Sequence, residues 1–376
     1  MRPTPASSPE PAPAAASPPS SSPPQRGEFL LVTCQGGAEG ALSVRFAELL
    51  PQATRAAWRR GIVTFRLGPL DPPDDFFPDA VYARSVIRSF GQVSGGDDDE
   101  RITKLATLVG DTPFDTVHAW CRDPRTDVDV ATIRGRLLAA RGLPGDAPAA
   151  AAAGQLVLDC IVDGPDRWWV GWHRAAAPAS RLPGGMHPVA LPPDKVSRAW
   201  LKLDEAIALF GIPLARGQRA VELGAAPGGA SQRLLEAGLA VVGVDPALVD
   251  PRVTAHPAFE QWRMRARDVR LRMFRDFDWV VADMNIDPRS TLEAVERVVT
   301  GGAARAGGII ATLKLPDWSR AAELPDWLDR FRSFGFEPRA RQLSTGGREI
   351  CVVARRAAKR PRRAEVSRRA TRPRDR

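Results

Sequence analysis

Lysine is scarce in this sequence. Of 53 lysine and arginine residues, only five are lysines, namely Lys104, Lys195, Lys202, Lys314 and Lys359. Arginine supplies the remaining positive charge, but a guanidinium stays protonated in proteins, whereas an amine can lose its proton. Lys314 stands near the end of an apolar segment, GGIIATLKLPDW, that is typical of a buried strand. We therefore expect a role for Lys314 that arginine cannot perform.

Cysteine and histidine are equally sparse, with four of each. Neither set has the spacing of a zinc site, and the cysteines do not resemble a disulfide framework. These residues are Cys34, Cys121, Cys160, Cys351, His118, His173, His187 and His256. We expect no metal site, and the scattered cysteines predict a reducing compartment, the cytoplasm.

Long apolar runs are absent. No stretch of about 18 or more uncharged apolar residues occurs, so no transmembrane helix is predicted. Residues 1–26 are rich in proline, alanine and serine and lack the apolar core of a secretory signal. We predict a disordered extension over residues 1–26 and no association with a membrane.

Acidic residues are rare at the C-terminal end. Residues 355–376 contain eleven basic and two acidic residues, which accounts for the whole net charge of +9. Residues 1–354 are therefore formally neutral. The composition predicts a disordered basic tail over residues 357–376. Such a tail either adds salt-sensitive affinity for phosphates or keeps the protein soluble, and charge alone favours neither role.

The rest of the chain divides at a linker. Residues 27–175 show an α+β pattern that ends in the strand pair GQLVLDCIVD and RWWVGWHR. Residues 176–194 are rich in proline, glycine and alanine and predict the linker. Over residues 195–356 helices and strands alternate, which is typical of a Rossmann-like α/β fold with a doubly wound, mostly parallel sheet.

A glycine turn in VELGAAPGGASQ predicts a cofactor site. Gly224 is expected to turn the chain off a strand, and Gly228 and Gly229 to let a ligand approach the start of a helix. The spacing is neither that of a dinucleotide site nor that of a P-loop. Asp245, at the end of the next strand, suits a ribose diol, and Asp268 suits an adenine amine. We favour S-adenosylmethionine over a turn that merely packs helix on sheet.

Four charged residues are expected to converge at one edge of this sheet. Lys314 and Asp283 end neighbouring strands, Lys202 lies on the helix that enters the domain, and Glu349 opens a final antiparallel strand. An amine that is near another cation and partly desolvated has its pKa lowered toward neutrality, so it can act as a base. Each residue alone is more typical of an ion pair. The four together predict a catalytic site.

Several motifs carry a family resemblance. SRAWLKLDEA, ELGAAPGGASQ, ADM, LKLP and REICVVA resemble the motifs of FtsJ-type ribose 2′-O-methyltransferases over about residues 195–356. The catalytic Lys-Asp-Lys-Glu set of that superfamily falls on Lys202, Asp283, Lys314 and Glu349. Within the superfamily, the run PPDKVSRAWLKLDEA and the ending REICVVARR most resemble the ribosomal RNA large-subunit methyltransferase M family.

The resemblance implies a reaction and a substrate. The implied activity is S-adenosylmethionine-dependent methylation of a ribose 2′-hydroxyl, on a cytidine of 23S rRNA before subunit assembly, with Lys314 as general base. It implies a THUMP-like RNA-binding region over residues 27–175. Ala199 stands where the family has a serine. The implied cofactor contacts are Ala226, Pro227, Gly228, Gly229, Asp245, Asp268 and Asp283, which join Gly224 of the turn.

A small-molecule methyltransferase is possible from the fold alone, but it would not need the extra N-terminal domain. Two functions that involve RNA also stay open at this point. One is methylation of another RNA, such as tRNA or a cap. The other is a non-catalytic RNA-binding assembly factor, which the presence of all four charged residues argues against. The cluster Trp168, Trp169 and Trp172 could stack on RNA bases. Because strand alternation places the first and last on one face and Trp169 on the other, we predict that most of the cluster packs in the core.

Overall fold

The computed structural model describes residues 27–123, 125–303 and 305–357. The predicted extension at residues 1–26 and the basic tail at residues 357–376 lie outside this part of the chain, apart from Ala357. The described residues form two seven-stranded sheets with helices packed against them. Among them, no helix is long and apolar enough to cross a membrane. All four cysteines are free thiols.

The first sheet has the order β2-β3-β1-β4-β7-β6-β5. The predicted strand pair is confirmed, because β6 and β7 pair antiparallel, whereas β5 runs parallel to β6. Asp97 begins α2 by accepting a hydrogen bond from Glu100 N at 2.9 Å, a typical N-cap. The elements are β1 Phe29–Thr33, α1 Glu39–Leu49, β2 Thr54–Arg59, β3 Ile62–Arg66, β4 Ser85–Ser94, α2 Asp98–Val109, β5 Thr116–Cys121, α3 Val130–Ala140, β6 Leu156–Val162 and β7 Arg167–Arg174.

The tryptophan cluster packs in the core of this sheet, as predicted. Trp168 and Trp172 are 1% and 0% exposed, and Trp169 lies on the opposite face. The guanidinium of Arg101 lies 5.0 Å from the centroid of the Trp168 ring. These indoles are therefore closed to RNA bases.

The second sheet has the order β10-β9-β8-β11-β12-β14-β13. Strands β8 to β12 are mutually parallel, and β14 runs antiparallel between β12 and β13, which confirms the Rossmann-like, mostly parallel prediction. The elements are α4 Arg198–Phe210, β8 Arg219–Leu223, α5 Gly229–Glu236, β9 Ala240–Val244, α6 Pro251–Thr254, β10 Phe259–Trp262, β11 Trp279–Ala282, α7 Pro288–Gly301, β12 Gly308–Lys314, α8 Leu324–Ser333, β13 Phe336–Arg341 and β14 Glu349–Arg356.

The two sheets share a hydrophobic core and direct polar contacts. Buried residues of both sheets, such as Leu30 and Leu313, belong to one cluster. Gln342, next to β13, donates to Gln35 Oε1 at 2.9 Å, and its backbone N–H donates to Val81 O at 2.8 Å. The segment between the sheets is packed as well, since His187 Nε2 lies 3.1 Å from Asp204 Oδ2. The domain bounds at residues 175, 195 and 356 stay a prediction.

Candidate active site

The carboxyl edge of the parallel strands brings the four charged residues together. Asp283 follows directly after β11, and Lys314 is the last residue of β12. Glu349 opens β14 and pairs with Lys314 in the antiparallel register. Lys202 reaches the same edge from α4. The strand directions, which are readable from the alternation of elements, therefore produce the convergence.

The four side chains form one ion-pair network. Lys314 Nζ lies 3.0 Å from Asp283 Oδ1 and donates a hydrogen bond to Glu349 Oε2 at 2.6 Å. Lys202 Nζ donates to Asp283 Oδ2 and lies 3.3 Å from Glu349 Oε1. Each amine thus contacts both carboxylates, and each carboxylate contacts both amines. The network fixes all four positions relative to one another.

The charge balance of this network corrects the prediction about Lys314. Burial alone would lower the pKa of Lys314, but the Asp283 and Glu349 carboxylates outweigh it and raise the pKa above its usual value. For Asp283, burial opposes the charged form, and the two lysines nonetheless hold its pKa below the usual range. The sequence argument gave weight to the second cation, Lys202, which lowers the pKa of Lys314. It gave too little weight to Asp283 and Glu349, which contact the amine directly and raise its pKa. In this structure Lys314 is therefore protonated at neutral pH.

A cavity of about 810 Å³ opens beside the network. Of the predicted cofactor residues, Gly224, Ala226, Asp245 and Asp283 line it. Asp245 is held in place by the backbone N–H groups of Ala226 and Ala247, at 3.1 and 2.8 Å. The volume is in the range of small-molecule sites, and a carboxylate at the end of β9 suits a ribose diol. The cavity therefore fits a nucleoside cofactor such as S-adenosylmethionine.

The other predicted cofactor residues do not line this cavity. Pro227, Gly228 and Gly229 lie at the start of α5, and Asp268 is exposed in a short 3₁₀ turn. At positions 228 and 229, neighbouring atoms of the protein leave little room for a side chain. A Cβ on Gly228 would lie 2.9 Å from Val249 Cγ1, and one on Gly229 would lie 2.2 Å from Ser197 Oγ. Close packing of the chain is enough to account for glycine at both positions, and their role toward a cofactor stays a prediction.

Replacing Gly229 with alanine should destabilise the protein. The added Cβ would lie 3.0 Å from both Ser197 O and Trp200 N, and backbone atoms of α4 cannot move aside cheaply. We expect a loss of about 1–3 kcal/mol in the free energy of unfolding. Urea denaturation measures it. Gly135→Ala in α3 is the matched control, because a Cβ there meets nothing within 4 Å. Equal stability of the two variants would contradict the packing argument.

Sequence reasoning missed one wall of the cavity and a buried acid beneath it. The helix α7 contributes Ser290, Glu293, Ala294 and Arg297, at the spacing i, i+3, i+4 and i+7. That spacing marks one helix face and was available in the sequence.

Glu222 on β8 is buried and accepts a hydrogen bond from Ser231 Oγ, and burial raises its pKa to about 8. It ties α5 to the strand that precedes the glycine turn.

A second missed residue, Glu205, anchors the loop that leads to Glu349. Its buried carboxylate accepts hydrogen bonds from Ser344 N at 2.8 Å and from Thr345 N and Oγ1 at 2.8 and 2.7 Å. Glu205 lies three residues after Lys202 on α4, so one helix positions both the amine and the loop. The sequence signal for Glu205 was an acidic residue at a position of α4 that faces the core.

Removing this anchor should slow catalysis without weakening cofactor binding. In Glu205→Ala, three donors lose their acceptor, so we expect a loss of about 1–3 kcal/mol in stability. Displacement of Glu349 should lower kcat by about tenfold or more. Calorimetry with S-adenosylmethionine should give an unchanged Kd. Glu236→Gln on α5 is the control, because its carboxylate contacts Lys195 and Trp200, and it should keep its kcat. A parallel loss of cofactor affinity in Glu205→Ala would contradict a role confined to the loop.

Comparisons with known proteins identify the family. The FtsJ-like methyltransferase family matches residues 195–310. Ribosomal RNA large subunit methyltransferase M from Xanthomonas campestris pv. campestris (strain B100) is 31% identical over 300 residues, which cover 73% of this chain and 82% of that protein. The protein of the same name from Laribacter hongkongensis is 29% identical over 289 residues, covering 71% and 75%.

A solved structure adds only a weak likeness. The fibrillarin pre-rRNA processing protein from Methanococcus jannaschii aligns with a TM-score of 0.34 at 13% identity, covering 52% of this chain and 81% of that one. This value is too low to support an argument. The sequence relationships are sufficient, since they extend across both sheets. The chain belongs to the ribosomal RNA large subunit methyltransferase M family of S-adenosylmethionine-dependent methyltransferases.

Proposed function

We propose that this protein methylates the 2′-hydroxyl of a ribose in ribosomal RNA, on a cytidine of 23S rRNA, in the cytoplasm and before the subunit assembles. One observation carries the proposal. Lys314 Nζ lies between Asp283 and Glu349 at the rim of the cavity, and Asp283 belongs both to that rim and to the cavity wall. Asp283 therefore contacts the proposed base, Lys314, and also lines the proposed methyl-donor site.

Residues Gly224, Ala226, Asp245 and Asp283 would hold the cofactor. When bound, S-adenosylmethionine supplies a sulfonium methyl group that is already activated for displacement by the ribose oxygen. The protein therefore has to position the ribose and remove one proton. The network offers carboxylate acceptors for ribose hydroxyls and an amine for the 2′-hydroxyl proton. No metal ligand cluster is present among the described residues.

Lys314 must become neutral before it can take the proton. Its raised pKa comes from contacts with Asp283 and Glu349. A ribose that enters the network and hydrogen-bonds Glu349 would draw that carboxylate away from the amine. Burial, which lowers the pKa, would then be opposed mainly by Asp283, so the pKa of Lys314 would fall. In this proposal Glu349 positions the ribose, Asp283 and Lys202 orient Lys314, and substrate binding itself prepares the base.

The first sheet has a surface that suits RNA. Strand β2 is an edge strand, and all six of its residues are exposed, including Trp58 at 59%. Residues 51–66 contain four arginines and no acid. An exposed indole among guanidinium groups is a common arrangement for binding single-stranded nucleic acid. This supports RNA binding by residues 27–175, in line with the predicted THUMP-like region.

Mapping of ribose methylation tests the proposed function. Mass spectrometry of rRNA fragments should show one 2′-O-methylcytidine in 23S rRNA that is absent from a deletion strain. The purified protein should restore it on naked rRNA but not on assembled subunits. Methylation that appears on tRNA instead, or cofactor binding without any RNA methylation, would overturn the proposal.

A further inference from the structure

A second cavity, of about 720 Å³, lies where the two sheets meet. It is separate from the cofactor cavity, with which it shares no lining residue. Helix α1 forms one wall, and the segment from Trp318 through α8 forms the other. Six of the lining residues are Gly37, Gly40, Ala41, Val44, Trp318 and Leu328. Clefts between domains are common ligand sites.

This domain-junction cavity borders the catalytic edge. Trp318 follows Lys314 by four residues, which span at most about 14 Å. The indole packs against the loop before α1, where a Cβ on Gly37 would lie 2.7 Å from Trp318 Nε1. Val44, at 66% exposed, contributes an apolar side chain that is open to solvent. A base near a ribose at Lys314 is therefore within reach of this cavity.

The cavity combines aromatic rings with polar groups that lack partners. The rings of Trp318 and Tyr82 lie 6.3 Å apart, edge to face. Tyr82 is 3% exposed, and its hydroxyl has no hydrogen-bond partner among the described residues. Arg45 is 34% exposed, but its Nε atom is buried and also has no hydrogen-bond partner among the described residues; both residues line the cavity. Buried polar groups are normally satisfied, so two such donors at one cavity point to a ligand with acceptors.

The charges of the cavity argue against a phosphate as its occupant. Arg45 Nη1 is 2.5 Å from Glu48 Oε2, and Arg332 Nη1 is 2.5 Å from Asp329 Oδ1. These four residues line the cavity, and each arginine is matched by an acid. A planar, uncharged group with hydrogen-bond acceptors fits better than an anion. Nucleobases have these properties, and single-stranded RNA presents them unstacked.

We propose that the domain-junction cavity binds an unstacked base of the RNA substrate, next to the nucleotide whose ribose lies at Lys314. The proposal rests on the proposed function, because it takes RNA as the substrate. Trp318 provides the stacking surface, and Tyr82 and Arg45 provide donors to the base. The cavity thus recognises a base next to the methylated nucleotide. By holding that base, it fixes which ribose of the strand lies at Lys314.

A cavity-filling variant tests this directly. Gly40 lies on α1 and lines the cavity, and a Cβ there meets nothing within 4 Å, so Gly40→Leu adds volume without a clash at Cβ. Gly135→Leu on α3 is the matched control, with equally open surroundings. The probes are a fluorescent ten-nucleotide oligocytidylate and the same oligomer made of abasic ribose phosphates. Binding is measured by anisotropy.

We expect Gly40→Leu to bind the intact oligomer about tenfold more weakly, the effect of losing one stacked base. It should bind the abasic oligomer as the wild type does, and Gly135→Leu should match the wild type on both. Unchanged binding of the intact oligomer by Gly40→Leu would overturn the proposal. An equal loss on both oligomers would also overturn it, because the cavity would then serve the sugar-phosphate chain or a different occupant.

Tyr82→Phe provides an independent measurement. Removing an unsatisfied hydroxyl should leave the unfolding midpoint unchanged or higher. Affinity for the intact oligomer should still fall several-fold, with no change for the abasic one. A variant that binds both oligomers as the wild type does would remove Tyr82 from the site.

Methylation of naked rRNA separates the two proposals. If it persists in Gly40→Leu with wild-type KM and kcat, the cavity proposal fails alone. If the wild type methylates no RNA while the oligomer effects stand, the proposed function fails alone.

Discussion

Replacing Lys314 with alanine should abolish methyl transfer to RNA, and replacing it with arginine should do so almost as completely. A positioned general base contributes about 10²–10⁴-fold to a rate. Alanine removes the base outright. Arginine keeps the positive charge and the hydrogen bonds to Asp283 and Glu349, but it cannot give up its proton. The measurement is single-turnover transfer of a labelled methyl group to naked rRNA from a deletion strain.

Two controls make the Lys314 result specific. Lys104→Ala removes an amine from α2, where Lys104 contacts Glu100 and Ser94 O, so transfer should continue at the wild-type rate. Calorimetry should show that both Lys314 variants still bind S-adenosylmethionine, because Lys314 does not line the cofactor cavity. If Lys314→Arg stays within about threefold of the wild-type rate, deprotonation at residue 314 is not part of the reaction.

The convergence of Asp283, Lys314 and Glu349 could be predicted because it depends on strand direction alone. Once the chain is divided into alternating strands and helices, Asp283 and Lys314 must leave the sheet at one edge. The antiparallel return of β14 then places Glu349 opposite Lys314, and the structure has that pair in register. Strand direction does not place Lys202, because it lies on α4, and the family motif supports its place in the set.

The properties that depend on distances could not be predicted in the same way. The sign of the Lys314 pKa shift follows from a balance between burial and two carboxylates within 3.0 Å, which no spacing in the sequence reveals. The strand β2 was missed because all its residues are exposed and show no alternation of burial. The domain-junction cavity arises from contacts between residues nearly three hundred positions apart, such as Gly37 and Trp318.

Replacing Asp283 with asparagine should move the rising limb of the pH–rate profile to lower pH. Among the groups that raise the pKa of Lys314, the charge of Asp283 is the largest, and Asp283 Oδ1 lies 3.0 Å from the amine. Asparagine removes that charge while keeping nearly the same shape. Burial, which lowers the pKa, then has less opposition, so the amine loses its proton at a lower pH.

The maximal rate of Asp283→Asn should fall even though its base is easier to form. Asp283 also contacts Lys202 and lines the cofactor cavity. The variant therefore weakens the positioning of Lys314, of Lys202 and of the cofactor at once. A misplaced reacting group typically costs on the order of 100-fold. Asp278→Asn is the matched control, because Asp278 precedes the same strand, β11, at the opposite edge of the sheet. Its pH–rate profile should match that of the wild type.

The direction of the Asp283→Asn shift identifies the titrating group. The lysines hold the pKa of Asp283 below its usual range, so this carboxylate is ionised throughout neutral and alkaline pH and cannot produce the limb itself. The rising limb of kcat/KM reports the free enzyme, in which Lys314 contacts both carboxylates. Glu349→Gln should shift the limb in the same direction. A limb that stays in place in both variants would assign it to a group outside the network, and Lys314 would then act by holding the ribose rather than by taking its proton.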